Sequence, residues 1–205
     1  MMEKKLTRKE QAQATKRKIY QSAIELIQNK GYENVSIEDI VQKANTAKGT
    51  FYLYFKSKQD LIYHTIQMYD EIANDAYEKV KELSTFEEQL VGYLTFANTE
   101  IQKIGDKILN ALLGHNLTET NKFLTVEKRA IYQALQKIIE KGYETGELSK
   151  KYDIAFYTEC IVIFIQGLDY YWSHANADFD YVQTSEKESR IFVKGIIQLY
   201  GAKQS

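Results

Sequence analysis

The chain has 205 residues and a formal net charge of −1, contains no proline, and is 44% hydrophobic. This length suffices for one large or two small domains with cores of their own, and the lack of proline favours long helices. No apolar run approaches the ~18 residues that span a membrane, and no apolar segment follows the Lys- and Glu-rich N-terminus, so we expect a cytoplasmic protein.

Two helix starts are encoded in the first 40 residues. Thr7 followed by Glu10 predicts a long first helix, because a hydroxyl and an acid three residues apart can cap the helix reciprocally. Gly31 predicts the end of that helix. Ser36 followed by Asp39 predicts a short second helix by the same pairing.

A tight turn and a third helix follow. Asn45 predicts the turn, because Asn tolerates left-handed backbone, and Thr46 is the predicted cap of the third helix. The first turn of that helix, residues 47–50, is built of small residues around one lysine, so it can approach another surface closely. Lysines and tyrosines continue to residue 58. The pattern indicates a helix-turn-helix that enters the major groove of DNA, with an ordinary solvated surface as the alternative.

The distribution of charge also favours DNA. Residues 1–58 carry 12 Lys/Arg against 6 Asp/Glu, whereas residues 59–205 carry 15 against 22. A basic head joined to an acidic body is expected if only the head meets phosphate, although a chance asymmetry is the alternative. The candidate DNA-binding residues are Ser36, Thr46, Ala47, Lys48, Gly49, Thr50, Tyr52, Tyr54 and Lys58.

Helical patterns occupy the rest of the chain. Ser57 with Asp60 and Thr85 with Glu88 predict the fourth and fifth helices. A short sixth helix is predicted over 106–113, followed by a polar stretch, and a seventh that ends at 145. An apolar eighth helix is predicted over 153–174 and a ninth over 186–200, after a polar loop. The expected fold is therefore all-α, with about nine helices.

Residues 15–66 closely resemble the TetR family of bacterial transcriptional repressors. The resemblance rests on Gly31-Tyr32, on Ser36-Ile37 with Asp39-Ile40-Val41, and on the run from Lys48-Gly49-Thr50-Phe51-Tyr52 to Lys56-Ser57-Lys58. It implies that residues 47–55 form or flank the recognition helix, and that the helix beginning at Lys58 meets phosphate. Asn45, Thr46 and Ala47 stand where the family usually has Gly, Val and Ser, so an operator preference does not carry over.

The resemblance also implies a division of the chain and a homodimer. Residues 1–56 would be the DNA-binding domain and residues 57–205 the effector-binding and dimerisation domain. The last two helices pair with their twofold mates in the family, and a dimer would present two recognition helices to a palindromic operator. A monomeric core is the alternative. The candidate interface residues are Ile161, Phe164, Ile165, Leu168, Ile191, Phe192, Gly195, Ile196 and Leu199.

A small-molecule effector would bind within the aromatic-rich body, although most of its aromatic residues are expected to be core. Glu100, if buried, would favour a cationic effector, and this idea lapses if Glu100 faces solvent. A long neutral or acyl effector is equally well supported. The candidate pocket residues are Phe96, Glu100, Ile104, His115, Phe123, Tyr132 and Gln166.

No catalytic, metal or cofactor motif is apparent. His64, His115 and His174 lie far apart in the sequence, and the single cysteine, Cys160, falls in an apolar helix where thiols are usually inert. We therefore predict a repressor released from DNA by a small lipophilic effector, and no enzyme. A DNA-binding structural or chromosome-organising factor without an effector is the alternative, and a close-packed body without a cavity would favour it.

Overall fold

The computed structural model describes residues 7–118, 129–174 and 179–202, with the side chains of 115–118 left out. Nine helices and no strand occur in these ranges, which confirms the all-α prediction. The helices are α1 (Arg8–Lys30), α2 (Ile37–Lys43), α3 (Lys48–Tyr54), α4 (Lys58–Val80), α5 (Phe86–Ile104), α6 (Asp106–Thr118), α7 (Ala130–Thr145), α8 (Ile154–His174) and α9 (Tyr181–Tyr200). None of these described helices is long and apolar enough to cross a membrane.

The chain divides into two compact units, which we call the head (Met1–Ile66) and the body (Gln67–Ser205). The division falls inside α4, ten residues after the predicted 56/57 boundary at the start of that helix. One continuous helix therefore contributes residues to both units.

Reciprocal caps begin several of the helices as predicted. Thr7 and Glu10 form the complete pair at α1, Ser36 and Asp39 at α2, and Thr85 with Glu88 at α5. In each pair the hydroxyl accepts a hydrogen bond from the backbone of the acid, and the carboxylate accepts one from the backbone of the cap, so two amides that the helix cannot satisfy are bonded.

The turn between α2 and α3 has the expected left-handed residue but a different cap. Asn45 has φ +48°, and it is the one non-glycine residue with positive φ in the described part of the chain. The Thr46 amide donates to the Val41 carbonyl at 2.9 Å, which keeps residue 46 in the turn. Ala47 is therefore the N-cap of α3, and the prediction of Thr46 was wrong by one residue. Ala47 makes no side-chain cap hydrogen bond.

Two other helix limits differ from the predictions. α6 continues to Thr118 instead of ending near residue 113, because the polar residues after Gly114 are compatible with helix. α9 begins at Tyr181, five residues before the predicted start, because Asp180 caps it by accepting a hydrogen bond from the Gln183 amide at 3.0 Å. The extra turn buries Tyr181.

Hydrogen bonds from the loop between α7 and α8 join several helices at one end of the body. The Glu147 carboxylate accepts hydrogen bonds from the amides of Phe86 and Glu87, at 2.7 and 3.1 Å, and so caps α5 from outside that helix. The Ser149 amide donates to the Tyr200 carbonyl at 3.0 Å, at the end of α9. The Tyr157 hydroxyl lies 2.8 Å from the same carbonyl. The loop therefore joins α5, α8 and α9 at this end.

Candidate functional site

The predicted DNA-binding residues fall on one surface of the head. Phe51 is fully buried and anchors α3, whereas Ala47, Lys48 and Gly49 are exposed at its start. A Cβ placed on Gly49 would meet open space, so the protein itself does not require glycine at this position. The small first turn of α3 is thus presented to solvent, which is the arrangement a groove-binding helix needs.

The exposed face of α3 continues one turn further. Tyr52 is 48% exposed and Leu53 is 79% exposed, the highest value among the large hydrophobic residues described. Leu53 was not among the predicted DNA contacts. Its exposure beside Lys48 favours a contact to DNA, because apolar side chains contact thymine methyl groups in the major groove. Thr46, Thr50 and Tyr54 are half-buried.

Lys48 is paired within the head. Its ammonium forms a hydrogen-bonded ion pair with Glu38 of α2, and both side chains are largely exposed. The side-chain hydrogen bond from Lys48 lowers the pKa of the Glu38 carboxyl, and the same bond raises the pKa of Lys48. A phosphate that approaches Lys48 must therefore compete with Glu38 for the same ammonium.

Lys58 is held more firmly than the sequence suggested. Its ammonium donates to the carbonyls of Tyr32 and Val35, at 2.8 and 3.0 Å, and lies 4.1 Å from the centre of the Tyr32 ring. Two of its three N–H groups thus connect the start of α4 to the loop between α1 and α2. Its phosphate contact remains a prediction, and the geometry adds a role in bracing the head. Ser36, likewise, caps α2 while remaining exposed.

The predicted interface residues of α8 and α9 divide into two groups. Ile161 and Ile196 are 0% and 5% exposed within the protomer, so they belong to its own core and cannot meet a partner. Ile165 lines a cavity of the body. The protomer itself thus covers Ile161 and Ile196. Apolar residues surround α8, and sequence alone does not say which face its own protomer covers.

An apolar strip on α8 and α9 nevertheless remains uncovered. Ile191 and Leu199 are 67% and 73% exposed, and a Cβ on Gly195 between them would meet open space. The rings of Phe164 and Phe192 stack at 4.2 Å between centroids, and both are half-buried. Ile163, Tyr170 and Tyr171 of α8 are also exposed and were not predicted. Leu168 is half-buried.

The body contains a cavity of about 90 Å³. Most of its wall is aliphatic and comes from α4, α5, α6, α8 and the start of α7. The polar and aromatic residues in the wall are Tyr69, Tyr93, Asn98, Arg129, Tyr132, Gln166 and Asp169. An apolar cavity with a few convergent polar groups is the usual form of a small-molecule site.

The predicted effector pocket coincides with this cavity in part. Tyr132 and Gln166 line the cavity, whereas Phe96, Glu100 and Ile104 do not. The Glu100 carboxylate is bonded instead to Lys103 at 2.6 Å, so the argument for a cationic effector at Glu100 lapses. Phe96 packs against the core. The side chains of His115 and Phe123 lie outside the described residues.

Two acidic groups of the cavity region have different environments. Asp70 of α4 accepts hydrogen bonds from Arg129 Nε at 2.8 Å and from the Ala130 amide at 3.3 Å, so its charge is balanced. Asp169 of α8 is only 9% exposed, and its carboxylate accepts a hydrogen bond from the Tyr181 hydroxyl. Burial raises the pKa of the Asp169 carboxyl from 3.8 to about 6, although the hydrogen bond from Tyr181 lowers it.

Known proteins resemble this chain both in the head and over most of its length. The model for "Bacterial regulatory proteins, tetR family" matches residues 19–64. The uncharacterized HTH-type transcriptional regulator YvdT of Bacillus subtilis is 64% identical over 45 residues, which is 22% of this chain and 23% of that protein. The fatty acid metabolism regulator protein of Bacillus subtilis is 26% identical over 186 residues, covering 87% of this chain and 93% of that protein.

The same architecture is found in a solved structure. The Bacillus subtilis transcriptional regulator FadR in complex with stearoyl-CoA matches with a TM-score of 0.67 and 24% identity, over 88% of this chain and 98% of that one. At this identity the likeness establishes the fold. The helix-turn-helix head and the helical body therefore occur together in a known protein fold.

Proposed function

We propose that this chain is a member of the TetR family of bacterial transcriptional regulators, and that it is a repressor whose homodimer binds a palindromic operator until a small lipophilic effector enters the body. The observation that carries this proposal is the combination of an exposed, basic helix-turn-helix in the head with an apolar cavity in the body. The site of action is the cytoplasm, where a bacterial operator lies.

Recognition is assigned to α3 and the residues around it. The exposed surface formed by Ala47, Lys48 and Gly49 would enter the major groove, and Tyr52 and Leu53 would extend the contact along the helix. Ser36, Thr46, Thr50, Tyr54 and Lys58 would contribute contacts at the edges. The hydroxyl and ammonium groups in this set suit phosphate oxygens, which fix the position of a protein on DNA.

Dimerisation is assigned to the apolar strip of α8 and α9. Large apolar side chains that remain exposed together indicate an interaction surface, and Ile191, Leu199 and Gly195 form such a surface with Phe164 and Phe192. A twofold axis through this strip would pair identical surfaces, and the two recognition helices would then meet half-sites about 34–36 Å apart.

Release by an effector is assigned to the cavity and α4. Three cavity residues, Tyr69, Ile72 and Ala73, belong to the same continuous helix that begins in the head at Lys58. A ligand that binds only a widened cavity would displace α4 and favour a state that does not fit the operator. Such a ligand shifts the equilibrium only by its preference for that state.

The cavity size favours a compact effector, or one that widens the body. At about 90 Å³ the cavity is smaller than an engineered 150 Å³ cavity that binds benzene. A fatty acyl thioester, the ligand named for the FadR structure, would require substantial expansion. The presence of a cavity still supports the effector-controlled regulator over a structural DNA-binding factor.

We propose no catalytic activity for this chain. Desolvation raises the pKa of the Cys160 thiol, which makes the reactive thiolate scarcer. No group of three His, Cys, Asp or Glu residues suitable for a metal ion occurs among the described residues.

The first test is selection of bound sequences from randomised duplex DNA by the full-length protein at near-physiological salt. The expected result is an enriched palindrome with half-sites about one helical turn apart. Gly49→Val is then expected to lower operator affinity at least about tenfold, since base contacts are each worth about 1–3 kcal/mol. Its melting temperature should not fall and its dimer mass should remain unchanged, because a Cβ at residue 49 meets open space.

Gly49→Ala is the matched control, and it should lower affinity less than the larger valine does. Failure to enrich any sequence with an intact dimer would overturn sequence-specific regulation. Unchanged affinity in Gly49→Val would overturn the placement of α3 in the groove.

A further inference from the structure

The cavity contains a buried acid whose charge is not balanced by a cation. Asp169 accepts a hydrogen bond from Tyr181, and no ion pair to Asp169 occurs among the described residues. Arg129, the one cationic residue in the described cavity wall, bonds to Asp70 instead. Because the Arg129–Asp70 pair is neutral as a whole, the described wall carries the single negative charge of Asp169.

Neighbouring groups fix the position of this carboxylate. Tyr181 of α9 stacks on Trp172 with 4.3 Å between ring centroids, and its hydroxyl lies 3.3 Å from the amide oxygen of Asn98. Both Tyr181 and Asn98 are almost fully buried. These contacts hold the hydroxyl beside Asp169, so the carboxylate has a defined place in the cavity wall.

A buried carboxylate in this environment is costly for the free protein. Transfer of a charge from water into an apolar site is strongly unfavourable unless a partner compensates it. The hydrogen bond from Tyr181 compensates part of that cost. A cation inside the cavity would compensate more, and the rings of Tyr69, Tyr93 and Tyr132 in the same wall can add cation–π attraction.

We propose that the effector is a small apolar molecule bearing one ammonium group, and that Asp169 is the residue that binds this group. The inference rests on the proposed function, since it names the chemical class of ligand for the same cavity. An aliphatic tail would contact the leucine, isoleucine and valine side chains of the wall. The structure disfavours an anionic ligand, because Asp169 would repel it and Arg129 is already paired.

The test compares three probes with the same carbon chain and different charge: n-butylammonium, 1-butanol and butyrate. Binding to the full-length dimer is followed without DNA by NMR of labelled methyl groups, with Leu109, Val162 and Ile165 as reporters inside the cavity. At about pH 7.5 we expect n-butylammonium to bind at least about tenfold more tightly than 1-butanol, a charge-assisted contribution, and butyrate to bind most weakly.

Asp169→Asn should reduce the preference for n-butylammonium over 1-butanol to about one, while the affinity for 1-butanol stays within about twofold. The matched control is Glu100→Gln, which removes a carboxylate of the same body outside the cavity and should leave the preference unchanged. If Asp169→Asn does not fold, lowering the pH of the wild-type protein to about 5 serves instead, because protonation of Asp169 should abolish the preference.

Tightest binding of butyrate, equal binding of the three probes, absence of methyl shifts with n-butylammonium, or an unchanged preference in Asp169→Asn would each overturn the proposal. Because these measurements contain no DNA, they are independent of operator binding. Absence of sequence-specific DNA binding would therefore contradict the proposed function, but it would not contradict the binding of an ammonium group by Asp169.

Discussion

In the head, the polar groups assigned to ligand binding lie at the surface, whereas in the body several of them are buried around a cavity. Lys48 and Tyr52 are exposed, and the loops behind them are fixed by caps and by Lys58. Asp169, Asn98 and Tyr181 of the body are almost completely enclosed. The two regions are therefore suited to ligands of very different size.

This difference has a physical cause. DNA has a high density of negative charge, so the head needs only a surface of the right shape with exposed cationic side chains to bind it. A small molecule makes few contacts, and its charged group must be bound where water is excluded. The body therefore contains a buried polar group in the apolar wall of its cavity. The head is therefore expected to keep one conformation, whereas the body is expected to change shape when a ligand binds.

The largest effect on operator affinity is expected for a change that prevents dimerisation. Ile191→Glu places a charge in the exposed apolar strip of α9, which should dissociate the dimer and lower operator affinity at least about 100-fold through lost bivalency. Sedimentation and DNA-binding titrations measure both effects. Gln183→Glu, an exposed change on the same helix outside the strip, is the control. A dimeric Ile191→Glu protein would contradict the assigned interface.

Lys58→Ala distinguishes a brace of the head from a phosphate contact. Loss of two hydrogen bonds from an ammonium should lower the free energy of unfolding of the head by about 2 kcal/mol. If Lys58 also contacts phosphate, the slope of log affinity against log salt should decrease in magnitude by about 0.9. Thermal melts and salt titrations separate the two roles. Lys56→Ala, an exposed neighbour, should leave the melt unchanged.

The body should show an unusual dependence of stability on pH. Between about pH 4 and 6 the folded state holds a proton on Asp169 more tightly than the unfolded chain does, so this group lowers the free energy of unfolding as pH rises through that window. The loss approaches about 3 kcal/mol above pH 6, from the shift of 3.8 to about 6. Denaturant unfolding at several pH values measures it.

Asp169→Asn should remove that decrease and leave the other carboxyls of the chain to set the pH dependence. Burial raises the pKa of Tyr93 and of Tyr181 above 10, so these two hydroxyls of the body do not titrate in this range. Identical curves for the two proteins between pH 4 and 7 would contradict a buried Asp169 with a raised pKa.

The smallest effect concerns competition at the surface of the head. Glu38→Gln removes the carboxylate that pairs with Lys48, so the ammonium becomes available to phosphate. Exposed pairs of this kind are weak, and we expect operator affinity to rise only about two- to fivefold, with the gain decreasing at high salt. Fluorescence titrations at two salt concentrations measure it. Reduced affinity in Glu38→Gln would show that Glu38 helps recognition.

Local signals in the sequence predicted much of the fold. The pairs Thr7–Glu10 and Ser36–Asp39 predicted two helix starts correctly, and Asn45 predicted the left-handed turn, because each signal acts within a few residues. The start of α9 was missed because Asp180 lay in a stretch whose polarity suggested a loop.

The cavity could not be predicted in the same way. Its wall comes from helices that are far apart in sequence, and helix periodicity does not say which acid of the body is enclosed. Glu100 and Asp169 both lie in helices with apolar neighbours, yet one is bonded to a lysine at the surface and the other is buried. Only the packing of α5, α8 and α9 separates them.

The loop between α7 and α8 determines where the body can change shape. Glu147 and Ser149 fix the first turn of α5 and the last turn of α9, while the cavity residues Tyr93 to Ile101 lie further along α5. Such a body has a pivot at this end, whereas its cavity end is joined through the side chains of Asn98, Asp169 and Tyr181, which a ligand in the cavity can displace. Small rotations about the pivot grow with distance along the helices, so a ligand of modest size can open the cavity end without breaking the fastened end.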